Sequence, residues 1–184
     1  MEPLTLAVTL ATTDSVDTEE LAGIAARTFP LACPPSTTAE NIASFVAANL
    51  SAARFAEFLA DPNCAILTAA HDGRIVGYAM LIRDVIDNVA ELSKLYVPAD
   101  FHGAGVATEL MDAALAAAVE WGVRRVWLGV NQENQRAQRF YAKSGFTING
   151  TRTFQVGDRR ENDYLMVREL CDPPEGHSGV TLGA

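Results

Sequence analysis

Hydrophobic residues follow two different periods along the chain, and these periods predict which segments are strands and which are helices. Residues 4–10 alternate between apolar and polar side chains, as a half-buried strand does, whereas apolar residues recur at helical spacing between Leu110 and Trp121. The same reading of the whole chain predicts strands at residues 4–10, 64–70, 75–82, 89–97, 125–130, 146–156 and 163–167. It predicts helices at residues 17–29, 41–49, 52–60, 109–121 and 135–143.

Polar and turn-forming residues mark the ends of these elements. Residues 17–20 and 37–40 have the capping-box pattern that starts a helix. Three prolines between the two boxes, at positions 30, 34 and 35, predict a stiff exposed loop that ends the first helix. Asp72-Gly73 between two β-rich runs predicts a tight hairpin, so the strands from residue 64 to residue 97 are expected to form an antiparallel meander.

Residues 102–108 form a small glycine-rich loop between a predicted strand and a predicted helix. Because Gly103 and Gly105 carry no side chains, the backbone N–H groups of the loop can point together at an anion such as a pyrophosphate. The free donors at the start of the following helix favour the same ligand. A tight connection that binds nothing is the alternative. The strand, the helix and the apolar run at 125–130 predict a parallel βαβ unit.

Composition and charge narrow the class of protein. A chain of 184 residues that is 49% hydrophobic predicts one domain over residues 1–170, and the Pro, Gly and Ser of residues 171–184 predict a disordered tail. We expect a cytoplasmic protein, because no apolar run is long enough for a membrane span and the N-terminus lacks a signal-peptide pattern. A net charge of −9 argues against nucleic acid or an anionic membrane as partner and permits a cationic substrate. Three widely spaced cysteines support neither a disulfide framework nor a metal site.

Two motifs carry a resemblance to a known family. The bend at residues 95–98 followed by His102-Gly-Ala-Gly-Val-Ala107 resembles motif A of the GCN5-related N-acetyltransferases, [Q/R]-x-x-G-x-[G/A], with His in place of Gln or Arg at the first position. Asn134-x-x-Ala-x-x-x-Tyr141-x-x-x-Gly-Phe146 is similar to the family's motif B. The resemblance covers about residues 64 to 147. It implies an α/β (α+β) fold, in which a mixed, mostly antiparallel sheet of six or seven strands has a central splay and about four flanking helices.

The resemblance also implies acetyl-CoA as cosubstrate, held in the splay between the strands that end at Val97 and Val130. Backbone groups of Leu95, Tyr96 and Val97 would pair with its pantetheine. The pyrophosphate would lie on the loop formed by His102, Gly103, Ala104, Gly105, Val106, Ala107 and Thr108, and its outer parts would contact Asn131, Asn134 and Lys143. A surface lysine with no ligand is the alternative for Lys143. A neutral imidazole at position 102 can donate one hydrogen bond to a phosphate oxygen but lacks the charge and fork of Arg.

Transfer of an acetyl group to an amine requires an acid at the departing thiolate and a base at the amine. Tyr141 is the candidate general acid, because motif B places its phenol one turn before the end of its helix; a core tyrosine is the alternative. Glu91 is the candidate base, acting directly or through water, and alternation places it on one strand face with Ser93, Leu95 and Val97. A partner in an ion pair is the alternative for this glutamate.

Beyond the superfamily, the chain resembles the bacterial spermine/spermidine N-acetyltransferases. This second resemblance lies in residues 26–29 and 39–42, in Trp127-Leu-Gly-Val-Asn131, in Asn134 and in residues 154–158 and 163–166. It implies a polyamine acceptor, which could meet the acidic side chains of Glu40, Glu57, Asp84, Asp87 and Glu91. A peptide or protein N-terminus, an aminoglycoside, and a non-catalytic acyl-CoA-binding module stay open as alternatives, as does a homodimer.

Overall fold

The computed structural model describes residues 5–156 and 158–170. Seven strands and five α-helices lie in these residues, together with a single 3-10 turn at Ala99–Phe101. The strands are β1 (Ala7–Leu10), β2 (Cys64–His71), β3 (Arg74–Asp84), β4 (Val89–Tyr96), β5 (Arg125–Asn131), β6 (Thr147–Val156) and β7 (Arg159–Glu169). The helices are α1 (Thr18–Ala32), α2 (Ala39–Asn49), α3 (Ala52–Ala60), α4 (Val106–Trp121) and α5 (Gln135–Lys143). The predicted tail at residues 171–184 lies outside the described residues.

All seven strands belong to one sheet, in the order β1-β2-β3-β4-β5-β7-β6. Every neighbouring pair is antiparallel except β4 and β5, which confirms both the predicted meander and the mixed, mostly antiparallel sheet. The parallel pairing of β4 with β5 covers only residues 89–91 opposite residues 125–127. Beyond Glu91 and Trp127 the two strands separate, and this gap is the predicted splay.

Apolar side chains form one core on each face of the sheet. We call the first the α4 face, where Leu110 and Met111 of α4 pack with Leu81, Leu92 and other buried residues. We call the second the α1 face, where Leu21, Ile24 and Phe55 from α1 and α3 pack with Tyr78 and Met80 of β3. Because the gap between β4 and β5 joins the two faces, groups from both can meet inside it.

A bulge in β4 changes the predicted orientation of Glu91. Leu92 lies opposite Leu81 and Lys94 lies opposite Met80, so Ser93 is an extra residue in the pairing of β4 with β3. An extra residue shifts the alternation of every side chain that follows it. The expectation that Glu91 shares a face with Ser93, Leu95 and Val97 is therefore wrong. Glu91 instead lies on the α1 face with Lys94 and Tyr96, opposite alternate residues of β3.

Several element boundaries also differ from the sequence prediction. Helix α1 continues through Pro30 to Ala32, although the proline was expected to end it. A proline in the last turn removes only one helical N–H, and the hydroxyl of Thr28 donates to the carbonyl of Ile24 at 2.7 Å within the same helix. Helix α4 begins at Val106, three residues earlier than expected. Strand β5 alternates between buried and partly buried residues, because its second face looks into the cavity described below.

The turn between β2 and β3 has the conformation that the sequence predicts. Asp72 and Gly73 have φ angles of 51° and 76°, the left-handed pair that a two-residue hairpin requires, and this confirms the predicted turn.

No single helix in the described part of the chain is long and apolar enough to cross a bilayer. Helices α2 and α3 pass that test of length and composition only as a pair, across a bend of 42°.

Candidate active site

A cavity of about 560 Å³ occupies the gap between β4 and β5. One end is formed by the glycine loop and the start of α4, and the other end by α1 and the inner part of β7. Stacked rings of Phe29 and Phe45, whose centroids lie 4.4 Å apart, hold α1 against α2 at this second end. We call the two ends the loop end and the acceptor end. The cavity therefore connects the α4 face with the α1 face.

The loop end has the backbone geometry of an anion site. Gly103 and Gly105 have φ angles of 82° and 84°, which residues with a side chain rarely adopt, and a Cβ atom at either position would meet nothing within 4 Å. Both glycines are therefore needed for conformation and not for packing. Gly105 also caps α4 without any side-chain acceptor, so the first N–H groups of α4 are free to bind a ligand.

His102 is held by two protein groups and does not point a free N–H into the loop. Its Nε2 lies 2.7 Å from the carbonyl oxygen of Val97, which can only accept, so Nε2 carries the proton. Its Nδ1 then accepts from the guanidinium of Arg136 on α5. The imidazole is thus a support for Arg136, and the hydrogen bond expected from His102 to a phosphate oxygen is not available in this arrangement. The carbonyl oxygen of Val97, one of the backbone groups in the stretch predicted to pair with pantetheine, accepts this hydrogen bond from His102.

Arg136 brings a positive charge to the loop end that sequence reasoning missed. It occupies the first turn of α5, where the helix dipole disfavours a cation, and it lines the cavity. Among the described residues no carboxylate forms an ion pair with it. The sequence did contain a signal for this role of Arg136. Motif A lacks its usual Arg or Gln, and Arg136 follows Asn134 of motif B by two positions.

The other predicted cofactor residues divide into two groups. Those that line the cavity are Leu95, Tyr96, Val97, Gly103, Gly105, Val106, Ala107, Thr108, Asn131 and Asn134. Ala104 is an exposed member of the same loop. Lys143 is separate from them: in the described structure it lines a different depression, with Ser144, Gly145 and Arg168. The structure therefore brings Lys143 to another surface, on a different side of α5 from Phe140 and Tyr141, which line the gap.

Tyr141 reaches the cavity from the α4 face. Helix α5 begins at Asn134, whose side-chain oxygen accepts from the N–H of Ala137 at 3.2 Å, and Tyr141 follows on the same side two turns later. Its ring packs against Phe140 and Phe146, with centroids 5.6 and 6.0 Å away. Burial raises the pKa of Tyr141 to about 12, so the phenol keeps its proton at neutral pH. A protonated phenol in this position can donate a hydrogen bond to an anion in the gap.

Glu91 reaches the cavity from the opposite face, at the last residue where β4 and β5 still pair. Burial raises the pKa of this carboxyl, while Arg152 and Lys94 act in the opposite direction. Burial also lowers the pKa of Lys94, whose ammonium lies 5.3 Å from the ring centre of Phe58. A carboxyl whose pKa is raised in this way is suited to exchange a proton near neutral pH.

Two more carboxyl groups line the acceptor end, and sequence reasoning did not select them. Glu161 and Asp163 occupy alternate positions of β7, and only 7% and 5% of their surfaces are exposed. The hydroxyl of Thr37 donates to Oε1 of Glu161 at 3.4 Å. Burial raises the pKa of Asp163, and the nearby guanidinium of Arg152 lowers it. The available signal was the spacing of two between these acids, which places both side chains on one face of the strand.

The remaining acidic candidates lie elsewhere. Glu40, Glu57, Asp84 and Asp87 are exposed, and none of them is among the described residues that line the cavity. Glu57 pairs with Arg54 on the surface of α3 at 2.6 Å. Of the five acids proposed from the sequence for a cationic acceptor, only Glu91 lies in the site.

A glycine loop with free backbone N–H groups, a protonated phenol and a carboxyl with a raised pKa in one gap are the features expected of a transferase that uses a phosphate-bearing coenzyme. The model of the Acetyltransferase (GNAT) family matches residues 26–146, and the chain belongs to this family. It is 69% identical to an uncharacterized N-acetyltransferase of Mycobacterium tuberculosis over 154 residues, which are 84% of this chain and 98% of the relative. The chain is accordingly an N-acetyltransferase.

Two solved structures share the fold. The PaiA N-acetyltransferase of Thermoplasma acidophilum, in complex with coenzyme A, superimposes with a TM-score of 0.77 at 19% identity, covering 91% of this chain and 100% of that one. The ribosomal-protein-S18-alanine N-acetyltransferase of Escherichia coli has a TM-score of 0.66 at 20% identity, covering 92% and 98%. Together they show that the splayed sheet is the sheet of this family.

Proposed function

We propose that the protein transfers an acetyl group from acetyl-CoA to a primary amine of a polyamine such as spermidine or spermine. The observation that carries this proposal is the clustering of Glu91, Glu161 and Asp163 at the acceptor end. Three carboxyl groups there outnumber the two cations, Lys94 and Arg152, by one, so a cationic acceptor would find complementary charge. The resemblance of residues 26–29 and 154–166 to spermine/spermidine acetyltransferases supports the same acceptor.

Coenzyme A fits the other end of the cavity. The loop at residues 102–108 and the N-terminus of α4 offer backbone N–H groups, and Arg136 offers a guanidinium, so these groups would hold the pyrophosphate. Beyond the last residue pair that joins β4 to β5, Leu95 and Tyr96 line the gap, and backbone groups of this stretch would hold the pantetheine arm. When bound, acetyl-CoA supplies the acetyl group and a thiol that must leave.

Acid and base in this proposal approach from opposite faces of the sheet. Glu91, directly or through a water molecule, would accept the proton of the attacking ammonium group, whose reference pKa of about 10.4 makes the neutral amine rare at pH 7. Tyr141 would donate its phenolic proton to the departing sulfur. Because the acid and the base are separate groups, the proton that leaves the amine and the proton that reaches the sulfur are transferred on different sides of the reacting carbon. Neither group therefore has to reorient.

A panel of acceptors tests the proposal. Purified protein with acetyl-CoA would be assayed by thiol release against spermidine, spermine, a monoamine, an aminoglycoside and a peptide with a free N-terminus. We expect the polyamines to have the highest kcat/KM, and we expect that value to fall as salt screens the acidic site. A tenfold advantage for peptides or aminoglycosides would overturn the polyamine assignment. Tight coenzyme A binding with no turnover of any amine would instead indicate a binding module.

A further inference from the structure

Gly129 on β5 gives room to an arginine from the edge of the sheet. A Cβ atom at position 129 would lie 2.4 Å from Nη2, 2.7 Å from Cζ and 2.9 Å from Nε of Arg152. No real Cβ atom tolerates such distances, so any residue other than glycine would displace the guanidinium. The atoms in conflict belong to the end of a long flexible side chain, which can move without moving the strands.

Arg152 uses this space to cross the sheet toward the splay. It lies opposite Asp163 in the pairing of β6 with β7, and its Nε donates to Oδ2 of Asp163 at 3.3 Å. Its guanidinium carbon lies 5.6 Å from the ring centre of Trp127, the residue paired with Glu91 where β4 and β5 separate. Arg152 thus carries a positive charge from the edge strand to the acceptor end of the cavity, which it lines.

We propose that Arg152 is a positioning residue for the carboxylates of Glu91 and Asp163, and that glycine at position 129 is the feature that seats its guanidinium between them. The inference rests on the proposed function in one respect, namely that Glu91 is the base. Its structural part concerns only Gly129, Arg152 and the two carboxyl groups. It can therefore be measured without turnover.

The charges around Glu91 set the direction of the effect. Burial raises the pKa of Glu91 and of Asp163, and Arg152 lowers both. Loss of the guanidinium should therefore raise both pKa values and leave less carboxylate at any pH near the titration. Other ionisable groups lie near Glu91, near Asp163 or near the residues that interact electrostatically with them. They are Lys94 and Tyr96 on β4, Glu161 on β7, Tyr141 on α5, Cys33 after α1, Cys64 on β2 and Arg54 on α3. The three atoms nearest to a Cβ atom at position 129 all belong to Arg152 and none belongs to these groups.

Gly129→Ala is the sharpest variant, because it displaces the guanidinium without deleting it. Arg152→Gln removes the charge directly, so the effect of the guanidinium on the two carboxyl groups can still be measured if Gly129→Ala fails to fold. Gly150→Ala is the matched control: a Cβ atom at position 150 would lie 3.7 Å from Cδ1 of Leu165, which is an ordinary contact. The two glycine substitutions lie in the same sheet and add the same methyl group.

The experiment follows the carboxyl carbons of Glu91 and Asp163 by NMR during a pH titration of each variant. We expect both titration midpoints to rise in Gly129→Ala and in Arg152→Gln, and to stay at the wild-type values in Gly150→Ala. Combining Gly129→Ala with Arg152→Gln should add nothing to Arg152→Gln alone, since each removes the same contact. Unchanged midpoints in Gly129→Ala and Arg152→Gln would overturn the proposal.

The pH profile of kcat/KM then separates this inference from the proposed function. If Glu91 is the base, the acidic limb of the profile moves upward with its midpoint, and activity on that limb falls by up to about tenfold for each pH unit of displacement. Midpoints that rise while the profile stays fixed would confirm the positioning role and contradict Glu91 as base. A profile that moves while the midpoints stay fixed would contradict the positioning role.

Discussion

At the scale of single residues, the site depends on a phenol that keeps its proton. Tyr141 is surrounded by Phe140 and Phe146 and by the rest of the α4 face, and burial raises its pKa to about 12. A phenolate in these surroundings would be costly, because no cation among the described residues pairs with it. Tyr141 is therefore suited to donate its proton and not to act as a base.

Tyr141→Phe removes the donor and keeps the ring. We expect kcat to fall by about 10- to 1,000-fold, the usual size of a contribution from general-acid catalysis. The affinity for coenzyme A should stay within a few-fold of wild type, since the ring contacts persist; isothermal titration calorimetry checks this. Unchanged turnover would show that water, and not the phenol, protonates the leaving sulfur.

Arg136→Ala tests whether the guanidinium on α5 supplies positive charge that binds coenzyme A at the loop end. We expect weaker binding of coenzyme A, by about 10-fold for one lost charge-assisted hydrogen bond, and a shallower dependence of the affinity on salt. The affinity for dephospho-coenzyme A, which keeps the pyrophosphate and lacks the 3′-phosphate, should fall by the same factor. Calorimetry with both ligands measures it.

Arg139→Ala is the matched control, because Arg139 lies on the same helix and is not among the described residues that line the cavity. It should leave both affinities unchanged. A loss confined to coenzyme A would mean that Arg136 contacts the 3′-phosphate. Equal affinities for wild type and Arg136→Ala would show that the backbone of the loop binds the pyrophosphate without this guanidinium.

At the scale of elements, side chains that cap helices decide much of what the sequence could predict. Helices α3 and α5 have the expected boundaries, and their caps, Ser51 and Asn134, bond to the third residue that follows. The bulge at Ser93 left only a weak local signal, the two successive polar residues Ser93 and Lys94 between Leu92 and Leu95, and it is the pairing with β3 that establishes the extra residue. Glu91 was therefore selected correctly as a residue of the cavity and placed on the wrong face.

The two caps give a paired prediction. Ser51→Ala and Asn134→Ala each remove one acceptor from a helix start and should each cost about 1 kcal/mol of unfolding free energy, measured by urea denaturation. Only Asn134→Ala should also lower kcat/KM, because α5 carries both Tyr141 and Arg136 while no residue of α3 lines the described cavity. An equal effect of both substitutions on activity would contradict the assignment of α5 to the site.

At the scale of the whole molecule, the order of elements was readable from the sequence, whereas the meeting of distant charges was not. The meander, the glycine loop and the parallel crossover each have a local signal, so the splayed sheet could be expected. Arg152 and Asp163 face each other in the β6–β7 hairpin, but they reach the cavity beside Glu91 only because β7 inserts between β5 and β6, a pairing without a local signal in the sequence. Arg136 and His102 likewise meet across 34 positions of the chain.

We propose that the acceptor end of the cavity selects an acceptor with a second positive charge. The most direct measurement is the ratio of kcat/KM for spermidine to that for n-butylamine, in wild type and in Glu161→Gln. Removing one buried carboxylate should lower the ratio by about 10-fold, because only the polyamine has another ammonium group for it to attract. Activity on n-butylamine and affinity for coenzyme A should stay unchanged. A ratio that is the same in both proteins, or a wild-type preference for the monoamine, would contradict the claim.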